Sequence, residues 1–206
     1  MTTEDAATAT PAPPGRRVRA DAQRNIDALT EAAKVVFAAS GVDAPLTEIA
    51  AQAGVGVGTA YRHFAQRSDL VTAVFRKEVD ACAQAATTVA AQYPPGEAVT
   101  RWIERYTGFI ATKHGLGAAL HSGNPAFAAL PDYFLAQLGP ALSGLLEAAA
   151  GAGEIRGDID AEDLLLTVAR ICAPANALES GQAQRMVALL LDGLRYRAVT
   201  TTAAAS

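Results

Sequence analysis

The sequence predicts an all-α fold of about nine helices, and three observations carry that prediction. Apolar residues recur at three- and four-residue spacing along most of the chain. Alanine and leucine dominate while β-branched runs stay short, which favours helix. Glycines, prolines and a few capping residues interrupt the apolar pattern where helices would start and stop. The chain shows no convincing strand and no internal repeat.

The elements follow in order. Residues 1–15, MTTEDAATATPAPPG, lack periodicity and read as a disordered tail, as do residues 199–206. The first helix covers about 19–40, with Ile26, Leu29, Ala33, Val36 and Phe37 on one face. Gly41 stops it, because glycine adopts the left-handed C′ conformation at little cost. A short second helix spans about 46–53, with Ile49, Ala50 and Ala53 inward and Glu48 near its positive end. Gly54 ends it, and a short third helix runs from Gly56 or Val57 to near Phe64. Ser68-Asp69 reads as the cap and acidic opening of a fourth helix, to about residue 91. Leu70, Val74, Phe75, Val79, Cys82 and Ala86 form its inner face, and Pro94-Pro95-Gly96 terminates it.

Val99, Trp102, Ile103, Tyr106, Phe109 and Ile110 define a fifth helix, ending at His114-Gly115, with a separate short element at 116–120. Pro131 opens a helix to about residue 151, with a kink expected at Gly139-Pro140. Asp160 is placed to cap a helix over about 161–178, and a last helix covers about 182–198. These two are apolar on more than one side, which means burial on more than one side. Leu165, Val168, Cys172, Val187, Leu190, Leu191 and Leu194 are therefore the expected homodimer interface; the alternative is a pair of central core helices.

Half of the 206 residues are apolar, enough for a substantial core. Two cysteines without framework spacing suit a reducing compartment, and a cytoplasmic location is expected. No apolar run approaches the roughly 18 residues of a membrane span, and no secretory signal is found. The net charge of −4 does not announce a nucleic-acid binder, and residues 1–80 hold 9 Lys and Arg against 10 Asp and Glu. Basic charge is local instead. RRVRADAQR (16–24) holds four arginines and one acid, and residues 49–68 hold Arg62 and Arg67 with no acid. A local basic face is what a groove contact requires.

The stretch LTEIAAQAGVGVGTAYRHF has the arithmetic of a helix-turn-helix. Ala50 is small where two helices cross, and Gly54, four residues on, can take the turn's positive φ. Val55 tucks under the turn. Ala60 and Phe64, four apart, face the core, so Val57, Gly58, Tyr61 and Arg62 are exposed with Thr59 and His63 on the flank. Thr59, Tyr61 and His63 can donate to phosphate oxygens, and Arg67 can reach one through charge. Gly58 lets a DNA backbone approach. Val57 suits a thymine methyl and Arg62 a guanine. The VGVG segment is no nucleotide loop, since no strand precedes it and no Gly-Lys-Ser/Thr follows.

Residues 22–75 resemble the DNA-binding region of TetR/AcrR-family transcriptional regulators. The matching positions are Phe37-Ala38-Ala39-Ser40-Gly41, Glu48-Ile49-Ala50, Ala53-Gly54-Val55, Gly58-Thr59, Tyr61, His63-Phe64 and Leu70. The resemblance implies an all-α homodimer with an N-terminal three-helix helix-turn-helix domain (16–67) and a C-terminal helical ligand-binding and dimerisation domain (68–198). It implies double-stranded DNA as partner, a repressor released from a palindromic operator by a small apolar or amphipathic inducer, and no enzymatic activity. The expected DNA contacts are Arg17, Arg19, Thr47, Val57, Gly58, Thr59, Tyr61, Arg62, His63 and Arg67. The chain departs from the family pattern in four places. Pro45 replaces a Ser/Thr cap, Gly56 a serine, Ala60 a larger aliphatic residue and Arg67 a lysine.

An inducer pocket is expected among helices four to eight, with Trp102, Tyr106, Phe109, His114, His121, Phe127, Tyr133, Arg170 and Cys172 as candidate lining. No cofactor is expected. The histidines and cysteines have no metal-ligand spacing, so no metal is expected either. Two other readings stand beside the regulator. One is a helical interaction module whose helix-turn-helix no longer binds DNA. The other is an all-α enzyme built on His114, His121 and Glu104 or Arg105, for which no nucleophile–base motif is found.

Overall fold

The computed structural model of the chain describes residues 14–120, 122–172 and 180–196. The elements are helices α1 (Pro14–Ser40), α2 (Leu46–Ala53), α3 (Val57–His63), α4 (Arg67–Gln92), α5 (Pro95–Leu120), α6 (Leu130–Gly151), α7 (Ala161–Ile171) and α8 (Ser180–Arg195), with a 3-10 turn at Pro125–Phe127. The described residues are thus all helix and loop, with eight α-helices rather than nine. The difference is α5, which runs unbroken through His114-Gly115 to Leu120. An interior glycine costs a helix only about 1 kcal/mol, so Gly115 and Gly117 do not break α5, and no proline follows before Leu120. The sequence over-read Gly115 as a stop.

Two starts also shift. α1 begins at Pro14, so the N-terminal segment read as a tail already ends in helix. α4 begins at Arg67, with Gln66 rather than Ser68 as its cap residue. The Gln66 N–H donates to the Asp69 carboxylate at 3.1 Å. Asp69 therefore serves as the third residue of the helix, reaching back over the first turn. α7 opens as expected, with the Asp160 carboxylate accepting from the Asp163 N–H at 2.9 Å. The rest of residues 1–15, residues 199–206, His121 and the stretch 173–178 lie outside the described residues.

α1, α2 and α3 form a small head around Leu29, Ala33, Phe37, Ile49, Ala60 and Phe64, all buried. α4 leaves the head, packs on α1, and enters the body, where α5 and α6 lie against it and α7 and α8 follow. The body is centred on an aromatic ladder. Trp102, Tyr106 and Phe109 recur at helical spacing along α5, so they stack on one face, with ring centroids 5.6 and 6.1 Å apart. Phe134 of α6 closes on Tyr106 and Phe109 at 6.1 and 6.3 Å. Each polar tip in the ladder has a partner. The Trp102 indole N–H donates to the Cys82 carbonyl at 2.9 Å, and the Tyr106 hydroxyl to the Leu165 carbonyl at 3.1 Å. Burial is favourable for such rings only with those partners in place.

α6 continues through Gly139-Pro140, with Pro140 on the exposed side. Water can reach the carbonyl that the proline leaves without a donor. α8 carries two apolar stripes. Val187, Leu191 and Leu194 are buried in the chain's own core, as are Leu165 and Val168 of α7. These five are spent on the protomer's own core rather than left open for a second copy. Cys172 and Leu190 are half-buried, while Leu166 of α7 and Met186 and Leu189 of α8 are exposed, the last at 65%. Helical periodicity alone does not say which of two apolar stripes faces inward. No helix among the described residues is long and apolar enough to cross a membrane.

Candidate nucleic-acid interface

The turn between α2 and α3 is built by its small residues. Gly54 has a φ of 66°, in the left-handed region. That conformation lets the Gly54 N–H reach the Ala51 carbonyl at 3.1 Å and the Val55 N–H reach the Ala50 carbonyl at 3.0 Å. The two bonds satisfy the last carbonyls of α2 in a Schellman arrangement. Ala50 itself is fully buried, so a larger side chain there has no room. Val55 is half-buried against the core. Gly56 is extended and offers no side-chain cap, while its carbonyl accepts from the Thr59 N–H at 2.8 Å to start α3.

The sidedness of α3 is the one read from the sequence. Ala60 is fully buried and Phe64 nearly so. Val57 and Tyr61 are 41% and 53% exposed, Gly58 and Arg62 are exposed, and Thr59 and His63 are half-buried on the flank. A Cβ added at Gly58 would meet nothing within 4 Å. The protein's own packing therefore does not require glycine in this helix, where glycine is unfavourable by about 0.5–1 kcal/mol against alanine.

Arg62 is folded along its own helix. Its Nε donates to the Gly58 carbonyl at 3.1 Å and its Nη2 to Thr59 Oγ1 at 3.2 Å. The guanidinium thus lies across the glycine, at the centre of the exposed face. Thr47 is exposed in the first turn of α2, and Arg19 is exposed on α1. Arg17 lies on α1, its side chain outside the described set.

Arg67 is where the structure corrects the reading most. It is the first residue of α4. Its Nη1 donates to the carbonyls of Val42 and Ala44 in the α1–α2 turn, the second at 2.7 Å. The side chain ties α4 to the turn ahead of α2 instead of pointing to a DNA backbone. No sequence pattern signals this clamp, because its partners lie 25 and 23 residues away.

The expected inducer pocket also changes. Trp102, Tyr106 and Phe109 belong to the packed ladder. Tyr133 lies half-buried at the α4–α6 seam, where its hydroxyl donates to Asp80 at 2.5 Å and the Arg76 guanidinium lies 4.9 Å from its ring centre. The Asp80 bond, then burial, pushes the Tyr133 hydroxyl above its ordinary pKa. Arg170 is exposed and Cys172 half-buried. His114 is on α5 with its side chain outside the described set. Phe127 is buried and lines a cavity, but that cavity lies between head and body. Among the described members of this set, the aromatic ladder is packed core and Phe127 lines the joint cavity instead. Burial pushes the Cys82 thiol up to about 12, so it stays protonated. No cluster of three metal-ligating side chains occurs among the described residues.

Comparison with known proteins follows this division of the chain. Residues 29–74 match the family model described as bacterial regulatory proteins, tetR family. Residues 94–196 match the model described as transcriptional regulator SbtR-like, C-terminal domain. The TetR transcriptional regulator SCO0520 from Streptomyces coelicolor is 36% identical, with a TM-score of 0.66 over 82% of this chain and 98% of that one. A TetR transcription regulatory protein from Mycobacterium vanbaalenii is 36% identical at a TM-score of 0.66, over 86% and 99%. LfrR from Mycobacterium smegmatis, solved in complex with proflavine, shares the fold at 22% identity and a TM-score of 0.60, over 83% and 96%. An HTH-type transcriptional regulator of Staphylococcus aureus (strain USA300) is 38% identical over 64 residues. That match covers 31% of this chain and about a third, 35%, of the staphylococcal protein.

Proposed function

The chain belongs to the TetR family of transcriptional regulators, and from that premise we propose that it binds a palindromic operator as a homodimer and is released by a small molecule. Members of this family are DNA-binding transcription factors, not enzymes. The observation that carries the reading is the face of α3. Val57, Gly58, Tyr61 and Arg62 stand exposed on a helix whose other side is locked into the head by Ala60 and Phe64.

The face suits a major groove. Thr59, Tyr61 and His63 supply donors at the edge for phosphate oxygens, with Thr47 from α2 and Arg17 and Arg19 from α1 as outer contacts. Gly58 leaves clearance at the centre. Val57 meets apolar base edges, and Arg62 exchanges its bonds to Gly58 and Thr59 for a guanine edge. So few base-reading side chains leave much of the specificity to phosphate placement and DNA shape.

Two such heads must sit about 34–36 Å apart to enter successive grooves. The exposed stripe of Leu166, Met186 and Leu189 is the surface that pairs the copies. A ligand acts by favouring a dimer whose heads have the wrong spacing, and can shift that balance only by its differential affinity for the two forms. LfrR's complex with proflavine supports a small-molecule ligand in a protein of this fold.

Selection from a pool of random duplexes tests the reading. A recovered palindrome, bound with an affinity that falls steeply with salt as phosphate counterions are released, is the expected result. Failure to enrich any duplex would leave the helical interaction module as the better account.

A further inference from the structure

A cavity of about 410 Å³ lies between head and body, bounded by the α1–α2 turn, the first turns of α4 and the loop before the 3-10 turn. Its volume is in the range of small-ligand sites, and it opens widely to solvent, with Asp43 and Arg67 exposed along it. A second cavity, of about 340 Å³, lies on the other side of the same joint, and both include Asp43, Gln66 and Arg67.

The larger cavity has an apolar wall of Val42, Val71 and Phe127. It also holds two opposite charges that do not pair with each other. The Asp43 carboxylate has no ion-pair or hydrogen-bond partner among the described residues. Arg67 commits Nη1 to the Val42 and Ala44 carbonyls. Its guanidinium retains further N–H donors, since it carries five in all. Asn124 spends its side-chain oxygen on the Ala126 N–H at 2.9 Å, which leaves its amide N–H groups as donors.

We propose that this joint cavity is a binding site for a small zwitterion with one apolar ring or chain, its ammonium on Asp43 and its carboxylate on Arg67 and Asn124. An anion alone would leave Asp43 opposed to it, and a cation alone would leave Arg67 unused. The site is also built to report its occupancy. A carboxylate brings a second charge to the arginine, an attraction stronger than that of the two neutral carbonyls. A carboxylate on the remaining donors therefore pulls on the guanidinium that holds the turn ahead of α2. Binding and head geometry are linked, and the linkage is reciprocal.

The consequence for DNA rests on the regulator reading; the site itself does not. Calorimetry on the DNA-free protein tests the site, with phenylalanine, phenylacetate and phenethylamine as probes. Phenylalanine should bind once per chain, about tenfold or more tighter than either single-charge probe, the factor for one charge-assisted contact. Asp43→Asn, an exposed change that leaves the fold intact, should abolish the preference over phenylacetate. Arg67→Lys should weaken phenylalanine, with a thermal melt confirming that the head remains folded. Absence of phenylalanine binding, equal binding of the three probes, or binding indifferent to Asp43→Asn would each overturn the site. With an operator in hand, phenylalanine should lower operator affinity in the wild type and not in Asp43→Asn. Binding without that effect would overturn the coupling alone, and failure to find an operator would count against the regulator reading, since calorimetry needs no DNA.

Discussion

Gly58 shows how a single residue separates the demands of fold and function. Nothing in the chain occupies the space where its Cβ would go, and the helix would gain from alanine. Gly58→Ala should therefore raise stability by about 0.5–1 kcal/mol while weakening the operator complex, as read by a thermal melt and a gel shift on the same preparation. Tyr106 gives a second residue-level prediction. Burial raises its folded pKa above the ordinary 10.0, so the folded state holds its proton more tightly than the unfolded chain. The resulting stability is complete below pH 10 and is lost as pH rises beyond it, by about 1.4 kcal/mol per pH unit for each such group. Cys82, raised from 9.0 to about 12, adds a loss of the same sign from pH 9 upward. Denaturant midpoints measured from pH 8 to 11 should fall accordingly, and Tyr106→Phe should flatten the upper part of the curve. The sides of α3 were legible at this scale because Ala60 and Phe64 sit four apart and a helix places them together. The role of Arg67 was not, because it depends on carbonyls far along the chain, and charge alone suggested a phosphate.

At the scale of elements, helical periodicity found the helices of the described residues but misjudged particular ends and split α5 in two. Gly54 stops α2 because the turn uses its positive φ; Gly115 stops nothing, since α5 continues through it and Leu116 just beyond it is buried. Both are a glycine after an apolar helix in the sequence, and only tertiary context distinguishes them. The same ambiguity governs α8. Its two apolar stripes are equivalent as patterns, yet the one through Val187, Leu191 and Leu194 is spent on the chain's own core. Leu189→Glu, on the open stripe, should leave the protomer's melting point nearly unchanged and shift the dimer to monomer in analytical ultracentrifugation. Leu191→Glu should instead unfold the body, since it buries an unpaired charge. An unaltered dimer in Leu189→Glu would place the interface elsewhere.

Across the whole molecule, α4 carries the connection between head and body. Lys34 of α1 pairs with Glu78 of α4 at 2.9 Å, and Lys77 of α4 with Glu31 at 3.6 Å. Arg67 ties the start of the same helix to the turn before α2. The head is thus held to α4 by charge-assisted bonds and buried contacts, so a displacement of α4 carries the head with it. The body's aromatic ladder was legible as core spacing, with pocket lining as the second reading of the same residues. Stacked rings at three- and four-residue intervals fill space as readily as they enclose it, and sequence does not tell which. The proposed DNA-reading surface is the exposed face of α3. Val57→Glu tests it most directly, by fluorescence anisotropy on the selected operator together with a thermal melt. A carboxylate in the first turn of α3 is favourable to the helix dipole and faces solvent, so the melting point should hold or rise. Against phosphates and base edges it is repelled, and operator affinity should fall by about a hundredfold or more, on the order of 3 kcal/mol. An operator affinity equal to that of the wild type, with the fold intact, would contradict the account.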